Sequence, residues 1–319
     1  MKAWMRLPWF GPLVALLLVY FLFAGLRPDT FSGVINLEIM VRQTVVVAIA
    51  AVGMTLVMVQ GGIDLSVGSV VALTTVAVAR MLRADVGPVE AALVGMAVGT
   101  ACGLVNGALV AGLKITPFIV TLGTMSLLRG AAKSLSDEQK IDADPKGLDE
   151  LMAALSDDWS FLLVPPGIWV ALVVAILAVG VLGYTRLGRH MVALGSNAQT
   201  AKLCGVREVR VTLIVYALAG ALAGLAGVME FATLTVGDPT DSIGLELEVI
   251  AAVVIGGGSL SGGQGSIAGT LIGALLMTVI KAGSTHMGLA NWVQEMVTGA
   301  IIVVAVYLDR LRHRSAAAS

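Results

Sequence analysis

Two glycine- and serine-rich segments of this chain contain residues that are suited to binding a small polar solute. They read GGIDLSVG at 61–68 and GGGSLSGG at 256–263, and each lies between apolar stretches. A helix that breaks inside a membrane leaves backbone amides and carbonyls that only protein or a polar cavity can satisfy, and such groups can hydrogen-bond a hydroxylated molecule. We therefore predict a substrate pathway that includes Gly61, Gly62, Asp64, Ser66, Gly256, Gly257, Ser259 and Ser261.

The similarity of the two segments also predicts that the chain is built from two pseudo-repeated halves. Glycine-interrupted segments at corresponding positions of two halves point to the binding site in transporters built from repeats. The alternative is that these glycines only let membrane helices pack closely, and that the similarity is due to chance.

Asp64 is the most informative charged residue, because a carboxylate near a membrane interior is costly unless it faces a cavity or caps a helix. Its position favours an N-cap for the next helix, and direct contact with the solute is a compatible alternative. Glu230 is predicted to be a paired structural acid, or else to line the pathway. The other ionisable residues in apolar stretches are Arg42, Lys281 and Glu295.

Several kinds of chemistry are excluded by motifs that the sequence lacks. It contains no GxxxxGK[ST] phosphate loop, no HExxH motif and no GxSxG motif. Cys102 and Cys204 stand alone, with no CxxC pattern or His/Cys cluster, which argues against a disulfide or a metal site. We expect no catalytic residue, no metal and no cofactor bound by this chain, which is therefore not predicted to be an enzyme.

The composition indicates an integral membrane protein. Of 319 residues, 57% are hydrophobic and only 13% are charged, and the mean hydropathy is +0.93. A soluble protein of this size has about a quarter charged residues. The net charge of −1 argues against a nucleic-acid partner.

The hydrophobic pattern predicts an all-α protein with about ten transmembrane or re-entrant helices in a single domain, 1–319. For the segments 38–60 and 245–260, the sequence leaves open whether each is a plain crossing or is re-entrant or broken. The N-terminal span is interpreted as uncleaved, since no small-x-small cleavage site follows it. The predicted spans are 10–26, 38–60, 65–83, 88–112, 117–134, 166–184, 210–235, 245–260, 264–283 and 288–308.

The distribution of charge predicts the orientation. The segment 185–210 is basic, as are both termini, and lysine and arginine favour the cytoplasmic side. The segment 135–165 is acidic, and we expect it outside, as a short helix with Leu148, Leu151, Met152 and Leu155 at helical spacing. Ten spans satisfy these charges together, although Arg80 and Arg83 then lie outside as well.

Six blocks of sequence resemble the permeases of ribose-type ATP-binding-cassette sugar importers. Together they cover most of the chain in the expected order. They are VQGGIDLSVGSVVAL (59–73), the Asn106-Gly107 pair, ITPFIVTLGTMSLLRG (115–130), TRLGRHMVALGSNAQTAKLCGV (185–206), YALAGALAGLAGV (216–228) and LEVIAAVVIGGGSLSGGQGSIAGTLIGAL (247–275).

The resemblance implies a multi-pass permease of the bacterial inner membrane that imports a ribose- or pentose-like monosaccharide. Its implied partners are a cytoplasmic ATPase that binds ATP and Mg²⁺, a periplasmic sugar-binding protein, a second permease chain of the same or a paralogous kind, and membrane lipid. It also implies that the cytoplasmic loop 185–210 couples to the ATPase through Gly195, Asn197, Ala201, Leu203 and Gly205. The alternative is that the positive charges of this loop only set the orientation of the protein in the membrane.

Three alternatives to this cargo and mechanism remain at this point. The same machine could carry a nucleoside or a sugar alcohol. A secondary carrier driven by an ion gradient is the alternative of a different class, and it would leave the basic loop without a purpose. The segment after Arg129-Gly130 departs from the family pattern by being longer and acidic, and this departure bears on the identity of the sugar.

Overall fold

The computed structural model describes residues 9–155 and 162–317, whose regular secondary structure is almost entirely α-helical. The basic residues Lys2 and Arg6 lie outside the described residues, as does 156–161. Two short strands, β1 (Ile141–Asp142) and β2 (Val236–Gly237), pair antiparallel, and a 3-10 turn covers Leu148–Leu151. The helices are α1 (Phe10–Leu26), α2 (Pro28–Phe31), α3 (Val34–Val59), α4 (Val67–Arg83), α5 (Pro88–Leu113), α6 (Pro117–Leu135), α7 (Pro166–Tyr184), α8 (Arg186–Ser196), α9 (Ala198–Leu203), α10 (Glu208–Leu234), α11 (Leu245–Ile255), α12 (Ile267–His286) and α13 (Asn291–Ala317).

Each predicted span corresponds to one of these helices, which confirms the all-α membrane fold. In the described part of the chain, five helices are long and apolar enough to cross a membrane, namely α3, α5, α7, α10 and α12, while α1 and Asn291–Tyr307 are shorter apolar helices. The side chains of Leu18, Phe21, Val173, Ile176 and Leu177 are more than half exposed. Lipid tails can cover such apolar surface, so these faces suit a bilayer.

The two spans for which the sequence left a break open differ from each other. α3 is one continuous helix of 26 residues, so the segment 38–60 is not broken. Most of its side chains are buried inside the protein. α11 has only 11 residues, or about 16 Å of helix, roughly half of a hydrocarbon core. It ends where the GGGS run begins, so this span is broken.

The centre of the bundle is held by close packing of α5 against α10. A Cβ atom on Gly99 would lie 2.6 Å from the Cα atom of Gly224, and one on Gly220 would lie 2.8 Å from the Cα atom of Gly103. Small residues at one-turn spacing let two backbones approach in this way. The glycine content therefore reflects packing here, whatever its role in the two loops.

The bundle has two ends with different compositions. The glycine end carries the loops 60–66 and 256–266 together with α8 and α9. The acidic end carries 136–155 and the loop 235–244, which are joined by the β1–β2 pair and by an ion pair of 3.0 Å between Lys140 and Asp238.

The acidic segment is not the helix that we expected. Between 136 and 155 the described residues form β1 and one 3-10 turn. Asp137, Glu138, Lys146 and Gly147 all have positive φ values, which an α-helix cannot accommodate. The apolar spacing was nonetheless informative, because Leu148 and Met152 are buried against the bundle.

Candidate substrate pathway and coupling segment

The two glycine loops begin with the same helix-terminating motif. After α3, the amides of Gly61 and Gly62 donate to the carbonyls of Met58 and Val57, at 2.9 and 3.0 Å. After α11, the amides of Gly257 and Gly258 donate in the same way to Val254 and Val253, at 3.0 and 2.8 Å. Gly61 and Gly257 have φ values of +92° and +90°, the left-handed conformation that this motif requires and that glycine adopts without strain.

The loops then continue with equivalent turns. The backbone amide of Ser66 donates to Oδ1 of Asp64 at 2.8 Å, and that of Ser261 donates to Oγ of Ser259 at 3.1 Å. These shared turns support two pseudo-repeated halves. The N-cap residue of α4 is Ser66. Asp64 therefore accepts from the amide of the N-cap residue itself and not from the free amides of the first helical turn. The prediction that Asp64 is the N-cap is wrong.

The glycine loops meet each other and α8 at a glycine junction made of Gly61, Gly195, Gly262 and Gly263. The amide of Gly263 donates to the carbonyl of Val59 at 2.9 Å, and this bond ties the second loop to the end of α3. A Cβ atom on Gly195 would overlap both of these backbone atoms. The residues predicted to line the pathway and those predicted to couple it therefore touch at this point.

The coupling segment consists of α8 and α9. Thr185 caps α8 by accepting from the amide of Gly188 at 3.1 Å, and Asn197 caps α9 by accepting from the amide of Thr200 at 2.9 Å. Ala201 is buried, whereas the side chain of Leu203 is 90% exposed. Gly205 ends the segment at a φ value of +85°.

A cavity of about 1340 Å³ opens at the acidic end. Its walls come from the start of α3, the end of α10, the loop 235–244, α11 and α12. Hydrogen-bonding side chains along its walls include Asn36, Arg42, Gln43, Glu230, Asp241, Glu248, Lys281, His286 and Gln294. We refer to it as the open cavity.

The polar groups of the open cavity are held by defined contacts. Lys281 bridges α12 to α11 through Glu248, at 3.1 Å. Arg42 donates to the carbonyl of Met152 at 3.0 Å, so the acidic segment reaches the cavity wall. Nε2 of His286 lies 3.1 Å from Oδ1 of Asn36.

The predicted pathway residues and the open cavity do not coincide. The loops with Gly61–Ser66 and Gly256–Ser261 lie at the glycine end, and Asp64, Ser66 and Ser259 are buried. Glu230, Arg42 and Lys281 line the open cavity instead. The sequence predicted Glu230 to be a paired structural acid or else to line the pathway, whereas Arg42 and Lys281 stood out only as ionisable residues in apolar stretches.

The comparison with protein families decides what this architecture belongs to. The family described as "Branched-chain amino acid transport system / permease component" matches residues 36–306. The chain belongs to this permease family. It is a transport subunit of the ATP-binding-cassette class and not an enzyme.

Several curated relatives match the permease over nearly its whole length. The ribose import permease protein RbsC of Escherichia coli (strain K12) is 39% identical, covering 97% of this chain and 95% of the relative. RbsC of Bacillus subtilis (strain 168) is 38% identical over 94% and 92%. The D-allose transport system permease protein AlsC of E. coli (strain K12) is 33% identical over 95% and 91%. No solved structure matches the chain.

Proposed function

We propose that this permease is the membrane-spanning subunit of an ATP-driven, binding-protein-dependent importer, and that its cargo is a ribose-type monosaccharide. Relatives named for ribose, D-allose and, at 33% identity, L-arabinose support a sugar as the cargo class. Ribose itself is favoured because relatives named for it share the higher identities.

The open cavity is the observation that carries this proposal. Its volume of about 1340 Å³ exceeds the ~300–1,000 Å³ of most small-molecule sites, so a monosaccharide can enter it. A neutral sugar presents hydroxyls that both donate and accept, and the walls offer Asn, Gln, His and paired charged groups that suit them.

The two ends of the bundle take different partners under this proposal. The acidic end faces the periplasm, where the sugar-binding protein delivers cargo to the open cavity. The glycine end faces the cytoplasm, where the coupling segment docks on the ATPase that binds Mg²⁺ and ATP. The exposed Leu203 is the apolar contact point there, and Gly195, Asn197, Ala201 and Gly205 set its position.

A second permease chain, identical or paralogous, completes the pathway under this proposal. Each chain acts as one transmembrane domain, 1–319, in the inner membrane with both termini cytoplasmic. Movement of the ATPase subunits reaches the bundle through the glycine junction, since Gly195 of α8 contacts both glycine loops. The resulting movement of the helices opens the pathway alternately to the periplasm and to the cytoplasm.

Uptake by proteoliposomes tests the proposal. The permease is reconstituted with its genomically neighbouring ATPase, with Mg-ATP on the ATPase side and the neighbouring binding protein on the other. We expect ATP-dependent uptake of labelled ribose, and none when the phosphate-loop lysine of the ATPase is replaced by alanine.

The competing functions give different results in the same vesicles. ATP-dependent uptake of a nucleoside, ribitol or leucine in place of ribose would overturn the proposed cargo. Uptake driven by a sodium or proton gradient without ATP would overturn the importer itself and show a secondary carrier.

A further inference from the structure

A buried polar cluster lies between the first glycine loop and the α5–α10 interface. It consists of Asp64, Ser66, Asn106 and Tyr216, whose exposed fractions are 4%, 0%, 1% and 2%. Oγ of Ser66 donates to Oδ1 of Asp64 at 2.6 Å and accepts from Nδ2 of Asn106 at 2.8 Å. Three of the blocks that carried the family resemblance therefore converge on one site.

Two strong hydrogen-bonding groups of this cluster are not used. Among the residues that the structure describes, neither the hydroxyl of Tyr216 nor the side-chain carbonyl of Asn106 has a hydrogen-bond partner. The Tyr216 hydroxyl points at the first glycine loop, where a Cβ atom on Gly62 would lie 2.8 Å from it. Buried polar groups are nearly always satisfied, so such exceptions need a physical reason.

The charge of Asp64 is also not needed to form its turn. At the equivalent turn of the second glycine loop, Ser259 holds the amide of Ser261 with a neutral hydroxyl. A carboxylate is more expensive to bury than a hydroxyl, and charged groups inside membrane proteins usually mark a substrate path. The turn alone therefore does not account for Asp64.

The loop that covers the cluster is connected to the coupling segment. Gly61 lies against Gly195 of α8, and Asp64 and Ser66 follow three and five residues later. A displacement of α8 would move this loop and uncover the cluster from the glycine end. The first turn of α4, just beyond Ser66, packs on the loop 235–244, because a Cβ atom on Gly68 would overlap the carbonyl of Ser242, which also lines the open cavity. The four residues of the cluster do not line that cavity, so the cluster lies next to its wall on the side of the glycine end.

We propose that Asp64, Ser66, Asn106 and Tyr216 form an inner binding station for the hydroxylated cargo, closed in this conformation and opened when the coupling segment moves the first glycine loop. A sugar hydroxyl accepts from Tyr216 and another donates to Asn106, which supplies the two missing partners. The proposal rests on the proposed function, because it names a second site on the same transport path.

Tyr216→Phe is the decisive variant, because it removes a hydroxyl that has no partner in the described part of this structure. We expect unchanged abundance and melting temperature in detergent, together with a fall of about fivefold or more in the maximal rate of ATP-driven ribose uptake at saturating binding protein. Thr74→Val is the matched control. It removes another buried hydroxyl that lacks a partner among the described residues, away from the cluster, and should leave uptake unchanged.

Deoxyribose analogues separate contact with cargo from an indirect effect. In the wild-type protein, at least one analogue that lacks a single hydroxyl should be transported several-fold more slowly than ribose. The Tyr216→Phe variant should transport ribose and one of these analogues at equal rates, and should still distinguish ribose from the other analogues. Equal uptake by Tyr216→Phe and wild type, or equal discrimination among the analogues, would overturn the inner station while the proposed function stands. Absence of ribose uptake by the wild type would overturn both.

Discussion

At the scale of single residues, Gly195 is a position that leaves no room for a side chain. Its Cα lies where α8 meets both glycine loops, and a Cβ atom would overlap the carbonyl of Val59 and the amide of Gly263. Both are backbone atoms, so they cannot move aside as a flexible side chain would. With a side chain at position 195, the hydrogen bond from the amide of Gly263 to the carbonyl of Val59 must lengthen or break.

We expect Gly195→Ala to reduce ATP-driven uptake at least tenfold, because it separates the coupling segment from the glycine loops. Gly180→Ala is the control, since Gly180 lies on α7 with nothing within 4 Å of a Cβ atom. The measurement is uptake per reconstituted permease, with ATPase activity recorded in parallel. Normal uptake by Gly195→Ala would show that the glycine junction does not transmit movement.

The sequence identified the glycine residues but not their arrangement. It placed Gly195 and Gly61 in separate roles, because nothing in their spacing shows that α8 folds back onto the end of α3. The open cavity was missed for a related reason. Its polar side chains are single residues in separate apolar stretches, and only tertiary packing brings Arg42, Glu230 and Lys281 to one space.

At the scale of elements, the helices were predictable and the acidic segment was not. Long apolar runs bounded by glycine, proline or charge gave spans within a few residues of α1, α5 and α7. The segment 136–155 has a helical apolar spacing, yet its conformation is set by partners elsewhere in the chain. The pair with β2, the bond from Arg42 and the Lys140–Asp238 ion pair all join residues distant in sequence.

The Lys140–Asp238 pair is expected to keep the acidic segment attached to the loop 235–244. Lys140→Glu replaces this attraction with repulsion and should speed amide hydrogen exchange in 139–143 by about tenfold. Asp238→Lys in the same chain should restore slow exchange. Lys114→Glu, the same charge change on an exposed residue at the glycine end, is the control. Unchanged exchange in Lys140→Glu would assign the attachment to the β1–β2 pair alone.

The same attachment should be insensitive to pH between about 5 and 9. Burial alone would raise the pKa of Asp238, but hydrogen bonds from Thr240 and Lys140 outweigh it and lower that pKa from 3.8. The bond to Asp238 raises the pKa of Lys140 from 10.5. The pair is therefore lost only as pH falls through the lowered pKa of Asp238 or rises through the raised pKa of Lys140.

At the scale of the whole molecule, the distribution of charge and the alternation of helices lead to one orientation. The basic coupling segment lies at the glycine end and the carboxylates concentrate at the acidic end. Arg80 and Arg83 were discordant with the charge rule, but Arg80 lies 3.6 Å from Asp137 and is thus balanced locally. We expect the glycine end to face the cytoplasm.

The native cysteines make this orientation measurable, because Cys204 is exposed in the coupling segment and Cys102 is buried. A membrane-impermeant maleimide should label Cys204 in inside-out vesicles and not in intact spheroplasts. Gln139→Cys combined with Cys204→Ser should show the reverse, because Gln139 is exposed at the acidic end. Labelling of Cys204 from outside intact spheroplasts would show that the orientation is the reverse of the one we expect. The coupling segment would then lie beyond the reach of a cytoplasmic ATPase, so this result would also remove the route by which ATP could drive transport.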